Sequence, residues 1–209
     1  MQMLVKDIVK ACNGVLLCGD PETVITSVET DSRLIEPGAL FVPIIGQKTD
    51  AHQYIQQTFD KGAVAALTQE HTSMKDSAHC WIYVEQTQDA LQQIATVYRN
   101  QFQVPVVGVT GSVGKTSTRE MIALALSAEK NVMQTKGNSN SQIGLPLTMF
   151  QFEEEHTAAV IEMGISEFGE MKRLVHIAQP NYAVVTNIGI AHIEQLKTRE
   201  HIMHEKLKI

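Results

Sequence analysis

The chain reads as an α/β protein, with a small mixed α/β N-terminal domain followed by part of a parallel-sheet domain built around a phosphate loop. Three observations predict this. From Val106 onward, continuously apolar strands alternate with helical stretches, the pattern of a parallel sheet covered on both faces. A Gly-Ser-Val-Gly-Lys-Thr run stands between the first of those strands and a helix. Before residue 103 the elements are shorter and mixed in kind.

Taken in order, Leu4–Ala11 has a helical apolar pattern, and Gly14–Cys18 and Val24–Val28 read as strands around an Asp20-Pro21 turn. A short strand at Leu40–Pro43 follows the Pro37-Gly38 turn. Ala51–Lys61 is helical, Ala63–Leu67 and Trp81–Val84 are strands, and Thr87–Phe102 is a helix. Pro105 stops that helix and opens an extended run, which places a domain boundary between residues 103 and 104. In the second domain, 104–209, Val106–Thr110 is a β-branched strand and Lys115–Ala128 a helix. A strand near Val132, a Gly/Asn/Ser loop at Gly137–Gln142 and a short helix at Leu145–Phe150 come next. Ala158–Ile161 and Ala183–Thr186 are further strands, Glu167–Ala178 is a helix, and a last helix begins at Thr198. The pattern is still helical at Ile209, so the domain is expected to be a truncated piece with an exposed sheet edge open to self-association.

The bulk numbers narrow the function. The 17 basic and 23 acidic residues leave a net charge of −6, and without a basic run this argues against nucleic acid as a partner. No signal peptide opens the chain, and no apolar run approaches the ~20 residues of a membrane span. The three cysteines, Cys12, Cys18 and Cys80, fit no metal spacing and read as small thiols in a reducing, cytoplasmic setting.

The run Gly111-Ser112-Val113-Gly114-Lys115-Thr116-Ser117 carries the chemistry. Backbone N–H groups can converge on phosphate oxygens only where Cβ atoms are missing at the closest approaches, and a helix N-terminus adds a favourable dipole. Lys115 is placed to reach the β- and γ-phosphates and the Thr116 hydroxyl to hold Mg²⁺. The general pattern has glycine where this chain has Val109, so the loop takes a shorter Gly-x-x-Gly-Lys-Thr form. Nucleotide chemistry also needs oxygen donors for the metal. Glu162, at the carboxyl end of the strand Ala158–Ile161, is where open α/β sheets gather ligands. His192 also follows a strand end, where a histidine by itself is more often a surface or capping residue. On spacing alone, Lys206 is one charge on a solvated helix face.

These residues together resemble the Mur ligase family. Thr110–Ser117 is similar to its phosphate loop, and Gly137-Asn138-Ser139-Asn140-Ser141-Gln142-Ile143-Gly144 is similar to the stretch typical of its D-alanyl-D-alanine-adding members. Glu162-Met163-Gly164 and Asn187 through Glu194 fall in the family's order. Thr30-Asp31-Ser32-Arg33 with Pro37-Gly38-Ala39-Leu40-Phe41-Val42, and Gly62-Ala63, resemble its uridine-binding domain. Asp50-Ala51-His52 departs from the usual Asp-Gly-His.

The resemblance implies an ATP- and Mg²⁺-dependent amide-forming ligase of peptidoglycan precursor synthesis. Its substrates would be a UDP-MurNAc-peptide and D-Ala-D-Ala, joined through an acyl phosphate, with a UDP-substrate domain at 1–103 and a partial P-loop ATPase domain at 104–209. It implies Lys115 on the ATP phosphates, Thr116 and Glu162 on a first Mg²⁺, and His192 at a second metal position. It also implies a carbamylated Lys206 supporting the metal, Asn138 and Asn140 lining the cleft, and Ser32 and Arg33 contacting UDP. The alternatives are a member adding a single amino acid, against which the Asn-Ser-Asn-Ser-Gln-Ile-Gly run argues, and a nucleotide- or UDP-binding module without chemistry. As a partial chain it is expected not to catalyse ligation alone.

Overall fold

A computed structural model describes residues 1–75 and 78–209 and divides into two units, Met1–Val97 and Tyr98–Ile209. The division falls a few residues before the boundary that Pro105 suggests, and side-chain bonds accompany it. The Tyr98 hydroxyl donates to the Phe152 carbonyl at 2.9 Å, and the Arg99 guanidinium donates to the carbonyls of Ala178 at 3.2 Å and Val104 at 3.4 Å. The last turn of the helix therefore packs with the segments that come after it in the chain.

In the first unit, β1 (Met3–Leu4) runs directly into α1 (Val5–Ala11), and β2 (Val15–Cys18) comes next. Val24–Val28 is not one strand. It splits at Thr26 into β3 (Val24–Ile25), antiparallel to β1, and β4 (Ser27–Glu29), parallel to β5 (Ala39–Phe41). Two short segments thus serve two sheets, and the Thr26 amide between them donates to the Gly38 carbonyl at 3.0 Å. With β6 (Ala65–Thr68) and β7 (Cys80–Tyr83), the larger sheet has the order β2-β7-β6-β5-β4, parallel except for β2. Phe41, Ile55, Phe59, Ala66 and Trp81 fill its core.

The expected helix at 51–61 begins as a 3-10 turn, Ala51–Tyr54, before α2 (Ile55–Asp60). Asp50 sets this entry: its carboxylate accepts from the His52 amide at 2.9 Å and lies 2.6 Å from the His52 ring Nδ1. Burial works against ionisation of Asp50, but the bonds from His52 outweigh it and hold the carboxyl below its usual range. Ala51 needs no left-handed backbone here, so its side chain in place of glycine is accommodated. α3 (Thr87–Arg99) ends the unit's sequence and carries its last two residues, Tyr98 and Arg99, into the second unit.

In the second unit β8 (Val106–Thr110), β9 (Val132–Gln134), β10 (Ala158–Glu162) and β11 (Tyr182–Val185) form a parallel sheet in the order β11-β8-β10-β9. β10 is buried along its whole length, whereas β11 lies at an edge and exposes Tyr182 and Ala183. Val109, Ala123 and Val160 centre the core between the sheet and α4 (Lys115–Leu126). The remaining helices are α5 (Gly144–Met149), α6 (Glu170–Ala178), α7 (Ile193–Leu196) and α8 (Arg199–Lys206). α6 starts later than its sequence suggests because the Glu170 carboxylate folds back to accept the amides of Ser166 and Glu167. Thr198 caps α8 by accepting from the His201 amide.

Cys12 and Cys80 are buried and Cys18 is half-buried, all as free thiols. Among the described residues no helix is long and apolar enough to cross a membrane.

Candidate nucleotide and metal site

The loop between β8 and α4 is shaped from outside its own sequence. Gly111 has φ 148°, and a Cβ there would lie 1.9 Å from the Thr186 hydroxyl oxygen, which itself donates to the Val113 carbonyl at 2.6 Å. Asn187 completes the brace: its Oδ1 accepts from the amides of Ser112 at 3.1 Å and Val113 at 3.0 Å. Gly114 caps α4 at φ 80° with open space around it. The amides of Lys115, Thr116 and Ser117 open the helix, where first-turn N–H groups have no carbonyl of their own helix to bond. They and the helix dipole suit an anion such as a phosphate. Val109, at the place where longer loops carry glycine, is buried in β8 as part of the core.

Glu162 is the last residue of β10 and is 1% exposed. Its Oε2 accepts from the Thr116 hydroxyl at 3.0 Å and from Arg119 Nη1 at 3.3 Å, and its Oε1 accepts from Asn140 Nδ2 at 2.7 Å. Its amide donates to the Thr135 hydroxyl at 2.9 Å. Burying a carboxylate is costly unless it is paired and hydrogen-bonded, and here Arg119 supplies the charge. The hydroxyl and carboxylate oxygens brought together by Thr116 and Glu162 are hard donors of the kind Mg²⁺ takes, in the partial set it uses when phosphates and water complete its shell. The donor set therefore fits the ion.

Lys115 Nζ donates to the Gly111 carbonyl at 3.0 Å, and Lys206 Nζ reaches the same oxygen at 3.1 Å. Lys206 is 1% exposed, so the solvated-face reading of its spacing is wrong. The reason is tertiary: α8 turns this side chain inward onto the loop. Burial, with Lys115 alongside, lowers the Lys206 ammonium to a pKa of about 8.

Gly111, Ser112, Val113, Gly114, Lys115, Thr116 and Ser117 therefore share one locus with Glu162, Asn140 and Lys206. Other expected site residues stand apart from this cluster of contacts. His192 is exposed, at φ 63°, and acts through its backbone as the N-cap of α7. Asn138 is exposed, with its carbonyl accepting from the Asn140 amide at 2.8 Å. Ser32 and Arg33 lie in the first unit. The Arg33 guanidinium is held by Asp31, with Nη2 at 2.6 Å from Oδ2, and Lys61 Nζ donates to the Ser32 carbonyl at 2.6 Å. The Arg33 side chain is otherwise exposed, and the hydrogen bonds from its guanidinium and its amide pull the Asp31 carboxyl down to about 2. Arg119 and Thr135 join the site although nothing in the sequence singles them out, and Asn187, part of the run that falls in the family's order, braces the loop, a role that sequence reading did not give it.

Residues 24–106 match the model described as Mur ligase family, catalytic domain, and residues 109–209 match the Mur ligase middle domain. The UDP-N-acetylmuramoyl-tripeptide--D-alanyl-D-alanine ligase of Bacillus subtilis (strain 168) is 41% identical over 206 residues, covering 98% of this chain and 45% of its own length. The structure of MurF from Acinetobacter baumannii superposes with a TM-score of 0.90 at 31% identity, over 99% of this chain and 45% of that one. MurF ligase from Thermotoga maritima, solved in complex with ADP, gives 0.80 at 35% identity over 88% and 42%. The chain spans less than half the length of these relatives. With adjoining matches over both units and a loop built for phosphate, the chain belongs to the Mur ligase family.

Proposed function

We propose that this chain is the UDP-substrate and ATP-binding portion of a cytoplasmic ligase that joins D-alanyl-D-alanine to UDP-MurNAc-tripeptide. The observation that carries the reading is the junction of Thr116 and Glu162, 3.0 Å apart, beside a loop whose lysine faces the same space. The identity to ligases of that name supports the choice of substrates.

In this reading the terminal carboxylate of the peptide attacks the γ-phosphorus of ATP. The bond to the bridging oxygen breaks, ADP leaves, and an acyl phosphate forms. The amine of D-Ala-D-Ala then adds to the acyl carbon, loses a proton and expels phosphate as the amide forms. Lys115 and the first-turn amides of α4 hold the phosphates in line. Thr116 and Glu162 would hold Mg²⁺, and the ion supplies neutralisation of the charge on the phosphoryl oxygens. Lys206, with its ammonium weakened by burial, has a neutral amine available to take up CO₂, and the carbamate would add an oxygen donor. His192 would serve a second metal position. Asn138 and Asn140 would line the cleft, Asn140 through its bond to Glu162. Residues 1–103 form the UDP-substrate domain, with Ser32 and Arg33 toward the UDP moiety, and 104–209 the partial ATP-binding domain. The chain alone lacks ligase activity in this reading, and the β11 edge is the surface through which it would self-associate.

Calorimetry tests the substrate assignment. UDP-MurNAc-tripeptide should bind more tightly than UDP-MurNAc-dipeptide, and Ser32→Ala and Arg33→Ala should weaken both. Preference for the dipeptide would move the assignment to a member that adds a single amino acid. In parallel, ADP with Mg²⁺ should bind the wild-type chain and fail to bind Lys115→Met; equal binding by the two would sink the loop's role.

A further inference from the structure

Beside Lys206 on α8, Glu205 ties that helix to another element of the same unit. Glu205 is 1% exposed, as deeply buried as Lys206. Its Oε1 leaves α8 and accepts from the amides of Gly169 at 2.8 Å and Met171 at 3.3 Å, at the N-terminus of α6. The N-cap of α6 is Gly169, at φ 82°, and it offers no side chain of its own. Glu205 therefore acts as a cap supplied from another helix. It satisfies two first-turn amides and places a negative charge at the positive end of the α6 dipole. Its Oε2 meets Lys208 Nζ. Adjacent helical residues point about 100° apart around the axis, so fixing Glu205 on α6 fixes the direction in which Lys206 leaves α8.

We propose that Glu205 is the positioning residue for Lys206: its carboxylate, bound to the N-terminus of α6, sets the register of α8 that delivers the Lys206 amine to the Gly111 carbonyl. Loss of that anchor lets α8 shift and withdraws the amine from the phosphate side of the loop. This rests on the nucleotide-site reading, in which Lys206 faces the bound phosphates. It adds a residue that neither touches nucleotide nor lies in the loop.

A double-mutant cycle on the 209-residue chain, read as the affinity for ADP with Mg²⁺, tests it. Lys206→Met and Glu205→Ala should each weaken binding, by between about threefold and tenfold. The double variant should be no weaker than Lys206→Met alone, because there is then no amine left to position. Glu205→Gln keeps an acceptor for the two amides and should restore affinity to within about twofold of wild type, the range of a conservative change at a neutral-for-charged acceptor. A general loss of stability would weaken binding equally in the Lys206→Met background and would not be rescued in this way. If Glu205→Ala fails to fold, the cycle is run with Glu205→Asp, whose shorter side chain keeps the charge and draws the carboxylate back from both amides. Additive losses, or wild-type binding by Glu205→Ala (or by Glu205→Asp where that replaces it), would overturn the proposal while leaving the site reading intact. Unchanged affinity in Lys206→Met would remove the site reading for Lys206, and the proposal with it.

Discussion

Lys115 and Lys206 converge on one acceptor, the carbonyl oxygen of Gly111, at 3.0 and 3.1 Å. Two ammonium groups on one oxygen repel each other, and the buried one yields: Lys206 falls from 10.5 to about 8, through burial first and the charge of Lys115 second. A lysine whose pKa is lowered by folding opposes folding while it is charged. Below about 8 both states hold the proton and the full penalty stands. Between about 8 and 10.5 the unfolded chain holds a proton that the folded chain has released, so stability rises with pH through this window. In CO₂-free buffer, the urea midpoint of wild type minus that of Lys206→Met should therefore climb from about pH 8 to pH 10.5. A difference that stays flat would mean that Lys206 is not buried as a charge.

Arg119 is the counter-ion of the buried Glu162 carboxylate. Its Nη1 bridges Glu162 Oε2 at 3.3 Å and the Gly137 carbonyl at 3.2 Å, and both side chains of the ion pair are nearly inaccessible. Arg119→Met should cost about 3–5 kcal/mol of stability, the usual penalty for orphaning one member of a buried pair. Adding Glu162→Gln should return part of that loss by removing the stranded charge. Urea denaturation of the four proteins checks this. A double variant less stable than Arg119→Met would show that the pair is not what balances Glu162.

How much of this site a sequence discloses depends on the range of each interaction. The loop from Gly111 to Ser117 is legible because its chemistry is contiguous: strand, glycines, lysine and hydroxyl stand in one line of text. Glu162 is legible as a strand end. Lys206 is not legible from spacing, since Gly111, the carbonyl it reaches, lies 95 positions away. Asn187, which orients the amides of Ser112 and Val113 from 75 and 74 residues away, leaves no periodic trace. The same holds for elements. The parallel sheet is visible in its apolar strands, but the break at Thr26 is not, because Val24–Val28 looks uniformly extended whichever partner each half chooses. α7, with four residues, is too short for helical periodicity to register.

Gly111 is the point of closest packing in the loop. Gly111→Ala would place a methyl group 1.9 Å from the Thr186 oxygen, on a backbone with φ 148° that L side chains rarely adopt. The Thr186 bond to the Val113 carbonyl must then break or the loop must move. Affinity for ADP should fall by about tenfold or more, the result of shifting a phosphate-binding backbone by an ångström. Thr186→Ala by itself should fall less, since it loses one hydrogen bond without a clash. If Gly111→Ala bound ADP like wild type, the loop would be more accommodating than its packing states.

Asn187 offers a sharper separation of shape from charge. One side-chain oxygen accepts two loop amides, so Asn187→Ala leaves both without that partner and frees the loop to change its curve. Asn187→Asp keeps an oxygen in the same place and strengthens its hold on the amides, because a charged acceptor bonds more tightly than a neutral one. It also brings a negative charge toward the space that a phosphate would enter. If Asn187 acts by shaping the loop, Asn187→Ala should lose ADP affinity at every ionic strength. Asn187→Asp should lose affinity mainly at low salt and recover toward wild type as salt screens the added charge. Titrating ADP against both variants at about 0.01 M and about 1 M salt, where the screening length falls from about 30 Å to about 3 Å, distinguishes the two effects. Equal, salt-independent losses in both variants would mean that the amide group's Nδ2, rather than the oxygen that binds the loop, is what nucleotide binding requires.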